Sequence, residues 1–151
     1  GSSKWITNDE SRESVHHLRA ISDAVIVGTK TAKLDSPQLD ARINGVIRQP
    51  VGYVVGTSAL PKTHLRQIET RDISKVIERL KEDGVTSVLL EGGAELARAF
   101  LNSDLVDEIW VYTSETVFGH GVAAPKVDPS LWNAKKQRSF GSDSLTIYER
   151  T

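Results

Sequence analysis

The sequence predicts an α/β domain with a mostly parallel sheet, and two observations favour this fold class. Short apolar runs alternate with amphipathic stretches along the chain, which is typical of strands that alternate with helices. Two of the apolar runs end at glycine, one at Gly28 and one at the turn Glu91–Gly93. Turns of this kind are common where a buried parallel strand ends and the chain changes direction.

Three stretches carry the spacing and the end signals of helices. Asn and Asp favour the first capped position of a helix, and Gly favours the position just past its last turn. In the first stretch Val15, Leu18 and Ile21 share one face. The predicted helices run from Asn8 or Asp9 to near Ser22, from Asp72 or Ser74 to Gly84, and from Ala94 to Asn102.

The apolar runs between these helices are predicted to be strands. The first run, Ala24–Val27, ends at Gly28 and is predicted to be a buried parallel strand. The other predicted strands are Tyr53–Val55, Val88–Leu90 and Ile109–Tyr112. Two late runs, around Ser139–Phe140 and Leu145–Tyr148, predict a closing antiparallel pair, and residues 119–129 are expected to be rich in loops.

Composition limits the function classes. The chain has 151 residues, 38% hydrophobic and 26% charged, with a formal net charge of -1, which suits a folded domain without a nucleic-acid or membrane surface. It contains no cysteine, which removes disulfides, thiolate nucleophiles and cysteine-ligated zinc and suits the cytoplasm. None of its four histidines has metal-ligand spacing, so they are interpreted as surface or packing residues and no metal site is predicted.

The junction of strand, Glu91–Gly92–Gly93 and helix is the strongest local signal. Paired glycines allow a ligand to approach the backbone, and a helix N-terminus offers N–H groups and a positive dipole end to a phosphate. A tight turn without any ligand explains the same residues equally well, because glycine pairs are common at such turns. Ligands of open α/β sheets do lie beyond the carboxyl ends of strands, which favours the phosphate site somewhat.

Other polar residues are weaker candidates when they are taken alone. Gly28–Thr31 lacks the spacing of a P-loop and is interpreted as a polar loop. Asp35 is a typical turn former. Arg19, Arg42 and Arg48 are interpreted as surface charges unless the fold directs all three to one crevice, where they would bind an anion. The residues themselves therefore predict an α/β domain with a phosphate-binding turn, but no reaction.

An ordered set of short segments resembles the riboflavin-pathway pyrimidine reductases, which share the dihydrofolate-reductase-like fold. Each segment is weakly specific, but their order along most of the chain is characteristic. The segments are Ser3-Lys4-Trp5-Ile6-Thr7, His17-Leu18-Arg19, Asp23 to Gly28, Thr31, Asp35 with Pro37, Arg42, Arg48-Gln49-Pro50, Ser58, Glu91-Gly92-Gly93-Ala94, Phe100-Leu101 and Leu105-Val106-Asp107-Glu108.

The resemblance implies a fold and a reaction. The fold would have three layers, with a mostly parallel central sheet, a C-terminal antiparallel pair and helices on both faces. The reaction would be the NADPH-dependent reduction of the ribosyl group of a 5-amino-6-(5-phosphoribosylamino)pyrimidine to ribityl. The resemblance also implies a cytoplasmic homodimer that acts on a small phosphorylated molecule, and apolar positions near Trp110 and Tyr112 suit either a dimer interface or core packing.

Carried over position by position, the resemblance also implies site residues. Asp35 corresponds to a cofactor contact that would also assist proton transfer. The substrate contacts would be Ser3, Arg19, Leu39, Arg42 and Glu91. The cofactor contacts would be Trp5, Thr7, Gly28, Thr31, Asp35, Ser58, Gly92, Gly93, Ala94 and Glu95, with the cofactor pyrophosphate held along residues 93–99.

The chain departs from the family pattern at three places. The family begins with a central strand that these 151 residues lack, so residues 1–151 are expected to be a single reductase domain without its first strand. Thr63–Arg71 is short and polar where the family has a further strand and helix. Ser36 and Gln38 stand where an acidic or amide residue and an arginine are common, which would weaken phosphate binding. The zinc-dependent deaminase that often precedes this domain needs cysteines, so this chain does not supply that activity.

Two other functions fit the same residues. A related reductase of the same fold would act on a pterin or another heterocycle. A catalytically degenerate relative would bind a ligand without turnover, and the missing strand, Ser36 and Gln38 favour it. The retained Arg19, Asp35, Arg42 and glycine junction favour the pyrimidine reductase.

Overall fold

The helices and strands largely follow the predicted alternation. The computed structural model describes residues 8–35, 37–43, 49–114 and 125–151. Ser3, Trp5 and Thr7 lie outside these ranges. The elements are α1 (Asp9–Ile21), β1 (Ala24–Gly28), α2 (Thr29–Asp35), β2 (Val51–Val55), β3 (Arg66–Ile68), α3 (Ile73–Glu82), β4 (Val88–Leu90), α4 (Ala94–Leu101), β5 (Glu108–Thr113), β6 (Trp132–Phe140) and β7 (Asp143–Arg150). The chain divides into two compact units, residues 16–103 and residues 1–15 with 104–151.

A parallel sheet with strand order β3-β2-β1-β4 organises residues 16–103. The chain moves outward from β1 to β3 and then returns through α3 to β4 on the other side of β1. Because such crossovers are right-handed, α2 and α3 cover opposite faces of the sheet. This arrangement confirms the predicted mostly parallel sheet with helices.

The two faces of the sheet bury different apolar sets. One face packs against α2 through Val25, Val27 and Val54, together with Ala32 and Leu39. The opposite face carries Ile26 and Tyr53, which are paired in register and fully buried. Because successive side chains of β1 and β2 point to opposite faces, the sheet presents an apolar surface to the helices on each side.

Two local expectations were wrong. The polar stretch after Gly28 is not a loop, because Thr29–Asp35 forms α2 and buries Ala32 against the sheet. The short polar region Thr63–Arg71 does contain a strand, since Arg66–Ile68 pairs in parallel with β2 and buries Ile68. In both cases tertiary packing of one apolar side chain stabilises an element that its sequence pattern does not reveal.

The C-terminal strands form a separate antiparallel sheet with order β5-β7-β6. The predicted late pair is present as β6 and β7, and β5 adds a third strand beside β7. In the same unit the start of α1 is bound to β7, because the buried Asp143 carboxylate accepts from the Asn8 N–H at 2.7 Å and from the Ser11 hydroxyl at 3.0 Å. Asn8 also caps α1 by accepting from the Ser11 N–H at 3.0 Å.

A helix that crosses a membrane must be both long and apolar. In the described ranges, none of the helices combines the length and the hydropathy that a bilayer span requires.

A buried tyrosine links the sheet to the end of α3. The Tyr53 hydroxyl donates to the Asp83 carboxylate at 2.7 Å, and Arg79 donates to the same carboxylate at 3.2 Å. The Tyr53 hydrogen bond, supported by Arg79, holds the pKa of Asp83 below its ordinary value. Burial, followed by the Asp83 contact, raises the pKa of Tyr53. The pair therefore attaches α3 to the sheet while Asp83 is ionised.

Replacing Tyr53 by Phe is expected to lower the free energy of unfolding by about 1 kcal/mol, because a buried hydrogen bond to a carboxylate is lost while the ring remains packed. Urea unfolding at neutral pH measures this difference. Tyr148→Phe is the matched control, since the Tyr148 hydroxyl forms no hydrogen bond within the described ranges, and its unfolding should match the wild type.

The same comparison should depend on pH. A carboxylate with a lowered pKa stabilises the fold above its unfolded-state pKa, and this contribution is lost as the pH falls through the folded-state pKa. The difference between wild type and Tyr53→Phe should therefore shrink in acid below the ordinary range of aspartate. A difference that is constant through that range would contradict the assigned role of Asp83.

Candidate functional site

The carboxyl ends of β1, β2 and β4 meet at one edge of the parallel sheet. A Cβ atom at Gly92, after β4, would lie 3.2 Å from Thr31 Cγ2 at the start of α2. A Cβ atom at Gly56, after β2, would lie 2.8 Å from Thr29 Cγ2. These contacts are tighter than a side chain allows without movement, so the backbone segments approach closely only because both positions are glycine. The three strand ends thus lie together at one edge of the sheet, which is where open α/β sheets bind ligands.

The junction after β4 leaves the start of α4 open. Gly92 and Gly93 have φ values of +62° and +81°, a conformation that other residues adopt only with strain. Gly93 is the N-cap residue of α4 and makes no side-chain cap hydrogen bond. Since Ala97 is the first residue to donate back to Gly93, at 3.0 Å, the preceding N–H groups of α4 are available to a bound anion.

An ion pair joins the last turn of α1 to the end of β4. Arg19 Nε lies 2.9 Å from Glu91 Oε2 and 3.2 Å from Glu91 Oε1, and both side chains are less than one-fifth exposed. Arg19 Nη1 also donates to the Asp40 carbonyl at 3.1 Å. Because Glu91 immediately precedes Gly92, the arginine lies next to the glycine junction.

Arg42 belongs to the same cluster. Its Nε lies 3.2 Å from Asp40 Oδ1, while most of its side chain is exposed. Its backbone N–H donates to His16 Nδ1 at 3.0 Å. Leu39, three residues earlier, is buried and has a φ of +56°. Two arginines are therefore present around one short segment that follows α2, and each is balanced by a carboxylate.

The environment of His16 favours its neutral form. Burial is the largest cause of its lowered pKa, and the positive charges of Arg19 and Arg42 add to it, against the opposing carbonyl and carboxylate of Asp40. A neutral imidazole can accept a hydrogen bond at Nδ1, as the contact with Arg42 requires.

The remaining sequence-predicted residues occupy various places. Gly28 ends β1, where a Cβ atom would lie 3.8 Å from Leu96 Cβ of α4. Ser58 follows β2, and its carbonyl accepts from Gln67 Nε2 at 2.9 Å. Asp35 is the last residue of α2, and its exposed side chain forms no hydrogen bond or ion pair inside the described ranges. Ala94 and Glu95 form the first turn of α4, and the Glu95 side chain is exposed.

Sequence reasoning missed three residues of the arginine cluster. His16 carried a signal, because it lies three residues before Arg19 and such residues share a helix face. Asp40 and Gln49 carried none, because their contacts depend on the conformation of the segment after Leu39. Gln49 accepts from the Ala41 N–H at 2.7 Å and donates to the Ala41 carbonyl at 2.8 Å.

A cavity of about 200 Å³ lies beside α2, but it is not the candidate site. None of the sequence-predicted site residues lines it; its lining is Ala32, Pro37, Gln38, Leu60, Pro61, Lys62, Thr63, His64 and Leu65. The side-chain contacts at the strand ends define the site instead. In the part of the chain that the structure describes, no group of three His, Cys, Asp or Glu side chains is arranged to hold a metal ion.

Known proteins share both the sequence and the fold. Residues 1–145 match the RibD C-terminal domain family. The riboflavin biosynthesis protein RibD of Corynebacterium ammoniagenes is 38% identical over 136 residues, which are 82% of this chain and 40% of the relative. RibD of Mycobacterium tuberculosis H37Rv is 36% identical over 135 residues, again 82% of this chain and 39% of the relative.

A solved structure from Thermotoga maritima superposes on the whole chain. It is described as a diaminohydroxyphosphoribosylaminopyrimidine deaminase/5-amino-6-(5-phosphoribosylamino)uracil reductase, and it is similar with a TM-score of 0.82 and 25% identity over 100% of this chain and 51% of its own. The chain thus spans between about two fifths and one half of these relatives. With the family match over nearly all of its residues, the chain belongs to the RibD C-terminal domain family.

Proposed function

We propose that this chain is the NADPH-dependent reductase domain that converts the ribosyl group of a 5-amino-6-(5-phosphoribosylamino)pyrimidine to ribityl in riboflavin biosynthesis. The observation that carries the proposal is the Arg19–Glu91 ion pair beside the open glycine junction of α4. It places an oriented guanidinium and an uncapped helix start at the same sheet edge. A substrate phosphate and a cofactor pyrophosphate need N–H donors of these two kinds side by side.

Arg19 and Arg42 are proposed to hold the substrate phosphate, with Ser3 as a further contact. A guanidinium carries five N–H donors, and the Arg19 contacts with Glu91 and Asp40 use Nε and Nη1. Donors on Nη2 remain to bind a phosphate oxygen. Glu91 is proposed to accept from a donor group of the substrate while Arg19 orients its carboxylate, and the backbone at Leu39 completes this side of the pocket.

The residues at the glycine junction fit a dinucleotide. The conformation of Gly92 and Gly93 keeps side-chain bulk away from the start of α4, and the N–H groups of Ala94 and Glu95 would bind a pyrophosphate. The other proposed cofactor contacts are Trp5, Thr7, Gly28, Thr31, Asp35 and Ser58. When bound, NADPH supplies the hydride that reduces the ribosyl C1.

Asp35 is proposed to assist the proton transfer that accompanies opening of the sugar ring. Its place at the exposed end of α2 allows a substrate oxygen to approach its carboxylate. General acid–base catalysis requires such access before any tuning of the pKa.

We propose that residues 1–151 are one reductase domain whose first strand lies outside this sequence. Within the described ranges, no strand pairs with the outer edge of β4, and Val88 on it is 41% exposed. An apolar parallel strand with an open edge is suited to accept a neighbour.

A cytoplasmic homodimer is part of the same proposal. A phosphorylated substrate does not cross a bilayer readily, so the enzyme should share a compartment with it. The long edge strand β6, exposed over residues 133–139, and the half-buried Trp110 and Tyr112 are surfaces available for the second subunit.

Gly92→Ala is expected to weaken NADPH binding at least about tenfold, because the added methyl group strains the backbone and meets Thr31 beside the pyrophosphate site. Fluorescence titration of NADPH measures the Kd. Gly84→Ala is the matched control, since Gly84 has a similar φ of +77° with nothing within 4 Å. Equal Kd values for both variants would argue against a cofactor site at this junction.

Arg19→Gln is expected to lower kcat/KM for the phosphorylated substrate by about 10- to 100-fold, as for loss of a hydrogen bond between charged groups. Steady-state NADPH oxidation measures it, with the exposed Arg138→Gln as control. The penalty should be several-fold smaller with the dephosphorylated substrate, for which only the loss of the Arg19 contacts with Glu91 and Asp40 remains. A penalty of equal size for both substrates would show that Arg19 does not bind the phosphate.

Hydrogen exchange tests the proposed additional strand. Because Glu91 N donates toward β1 at 2.9 Å, the preceding Leu90 N–H points away from β1. In the full-length protein this amide should be strongly protected from exchange, and in residues 1–151 alone it should exchange rapidly. Rapid exchange in both would contradict pairing at the outer edge of β4.

A further inference from the structure

The segment Leu39–Arg42 adopts a conformation that its own residues do not favour. Leu39 has a φ of +56°, which is uncommon for a residue with a branched side chain. Its side chain is nevertheless only 3% exposed and packs with Val25, Val27 and Val54. A strained backbone of this kind persists only where surrounding contacts determine it, and such positions are frequent at functional sites.

Three side chains from outside the segment hold its backbone. Arg19 donates to the Asp40 carbonyl at 3.1 Å. Gln49 pairs with both polar groups of Ala41, at 2.7 and 2.8 Å, as a neighbouring strand would. His16 Nδ1 accepts the Arg42 N–H at 3.0 Å. Three successive residues are therefore each fixed by a different side chain.

We propose that His16 and Gln49 are positioning residues that fix the segment Leu39–Arg42, so that the Arg42 guanidinium is already in place when a phosphorylated substrate arrives. This inference rests on the proposed function, which makes Arg42 a phosphate contact. The Arg42 side chain is 68% exposed and pairs with Asp40 only through Nε, so its own contacts hold the guanidinium weakly. The backbone that carries Arg42 must therefore hold the guanidinium in place. A side chain that is already ordered loses less conformational entropy when the substrate binds.

The contact between His16 and Arg42 requires a neutral imidazole. The charged groups that face His16 are Arg19 and Arg42, which oppose its protonation, and Asp40, which favours it; burial opposes it most. Protonation places a hydrogen on Nδ1, so that the ring can no longer accept from the Arg42 N–H. The segment should therefore be held at neutral pH and released in acid.

The test compares His16→Phe, His16→Asn and Gln49→Met with the wild-type protein. Phe keeps the ring without an acceptor, Asn places an amide oxygen near the position of Nδ1 without titrating, and Met keeps the length of Gln49 without its polar atoms. His16→Phe and Gln49→Met should each raise KM for the phosphorylated substrate about tenfold, which is the size expected for one lost hydrogen bond. The kcat and the Kd for NADPH should change little, and His16→Asn should retain a KM close to that of the wild type.

The pH dependence of KM separates the titration of His16 from the titration of the substrate phosphate. The substrate phosphate also titrates near pH 6, so the informative quantity is the ratio of wild-type KM to His16→Asn KM, from which the substrate cancels. This ratio should rise as the pH falls through the lowered pKa of His16. Amide exchange of Ala41 and Arg42 gives a second readout that needs no turnover, and both amides should exchange faster in His16→Phe and Gln49→Met.

Several outcomes would overturn the inference. An unchanged KM and unchanged amide exchange in both His16→Phe and Gln49→Met would do so, even if the wild type is an active reductase. Equal losses of substrate and NADPH affinity, with lower thermal stability, would show a general structural role instead. No turnover by the wild-type full-length protein would reject the proposed function and the substrate role of the segment together.

Discussion

The ion pair between Arg19 and Glu91 is the interaction on which the rest of the site depends. It is mostly shielded from solvent, so it is weakened less by salt and water than a surface pair. It joins the end of α1 to the carboxyl end of β4, and through the Asp40 carbonyl it also holds the segment that carries Arg42. Removing either partner would leave a charge partly buried without its counterion. The pair therefore joins α1, the end of β4 and the segment that carries Arg42, which together form the proposed substrate side of the site.

The proposed cofactor site depends on two glycines, Gly92 and Gly56, because neither has a side chain. Gly92 allows Thr31 to pack against the turn after β4, and Gly56 does the same for Thr29 after β2. These contacts bring α2 and the start of α4 together at the sheet edge. Because Glu91 and Gly92 are adjacent, the ion pair and the open helix start lie next to each other. The proposed substrate-phosphate contacts and the proposed pyrophosphate site would therefore lie side by side.

The sequence revealed the elements that carry a clear apolar pattern. The helix from Asp9 to Ile21 was predictable from the spacing of Val15 and Leu18, although Ile21 is exposed, and the strands at Val25 and Val54 were predictable from their short apolar runs. Thr29–Asp35 and Arg66–Ile68 were not, since each buries one apolar residue amid polar neighbours. Short elements of this kind are stabilised by the sheet on which they pack rather than by their own sequence.

The candidate site likewise contains residues that the sequence could indicate and residues that it could not. Arg19, Glu91 and the glycine junction could be named from their order along the chain, through the resemblance to the reductases. Local spacing could not predict the contact between Arg19 and Glu91, because the two residues are 72 positions apart. The roles of His16 and Gln49 depend on the left-handed backbone at Leu39, and a leucine in the sequence gives no sign of that conformation.

The most direct measurement is a crystal structure of the full-length protein with NADPH and the phosphorylated ribityl product. We expect the cofactor pyrophosphate within hydrogen-bond distance of the Ala94 and Glu95 amides, and the product phosphate on Arg19 and Arg42. The nicotinamide ring should face the reduced carbon beside Glu91. A cofactor bound away from Gly92 and Gly93, or a phosphate that contacts neither arginine, would contradict the proposed site.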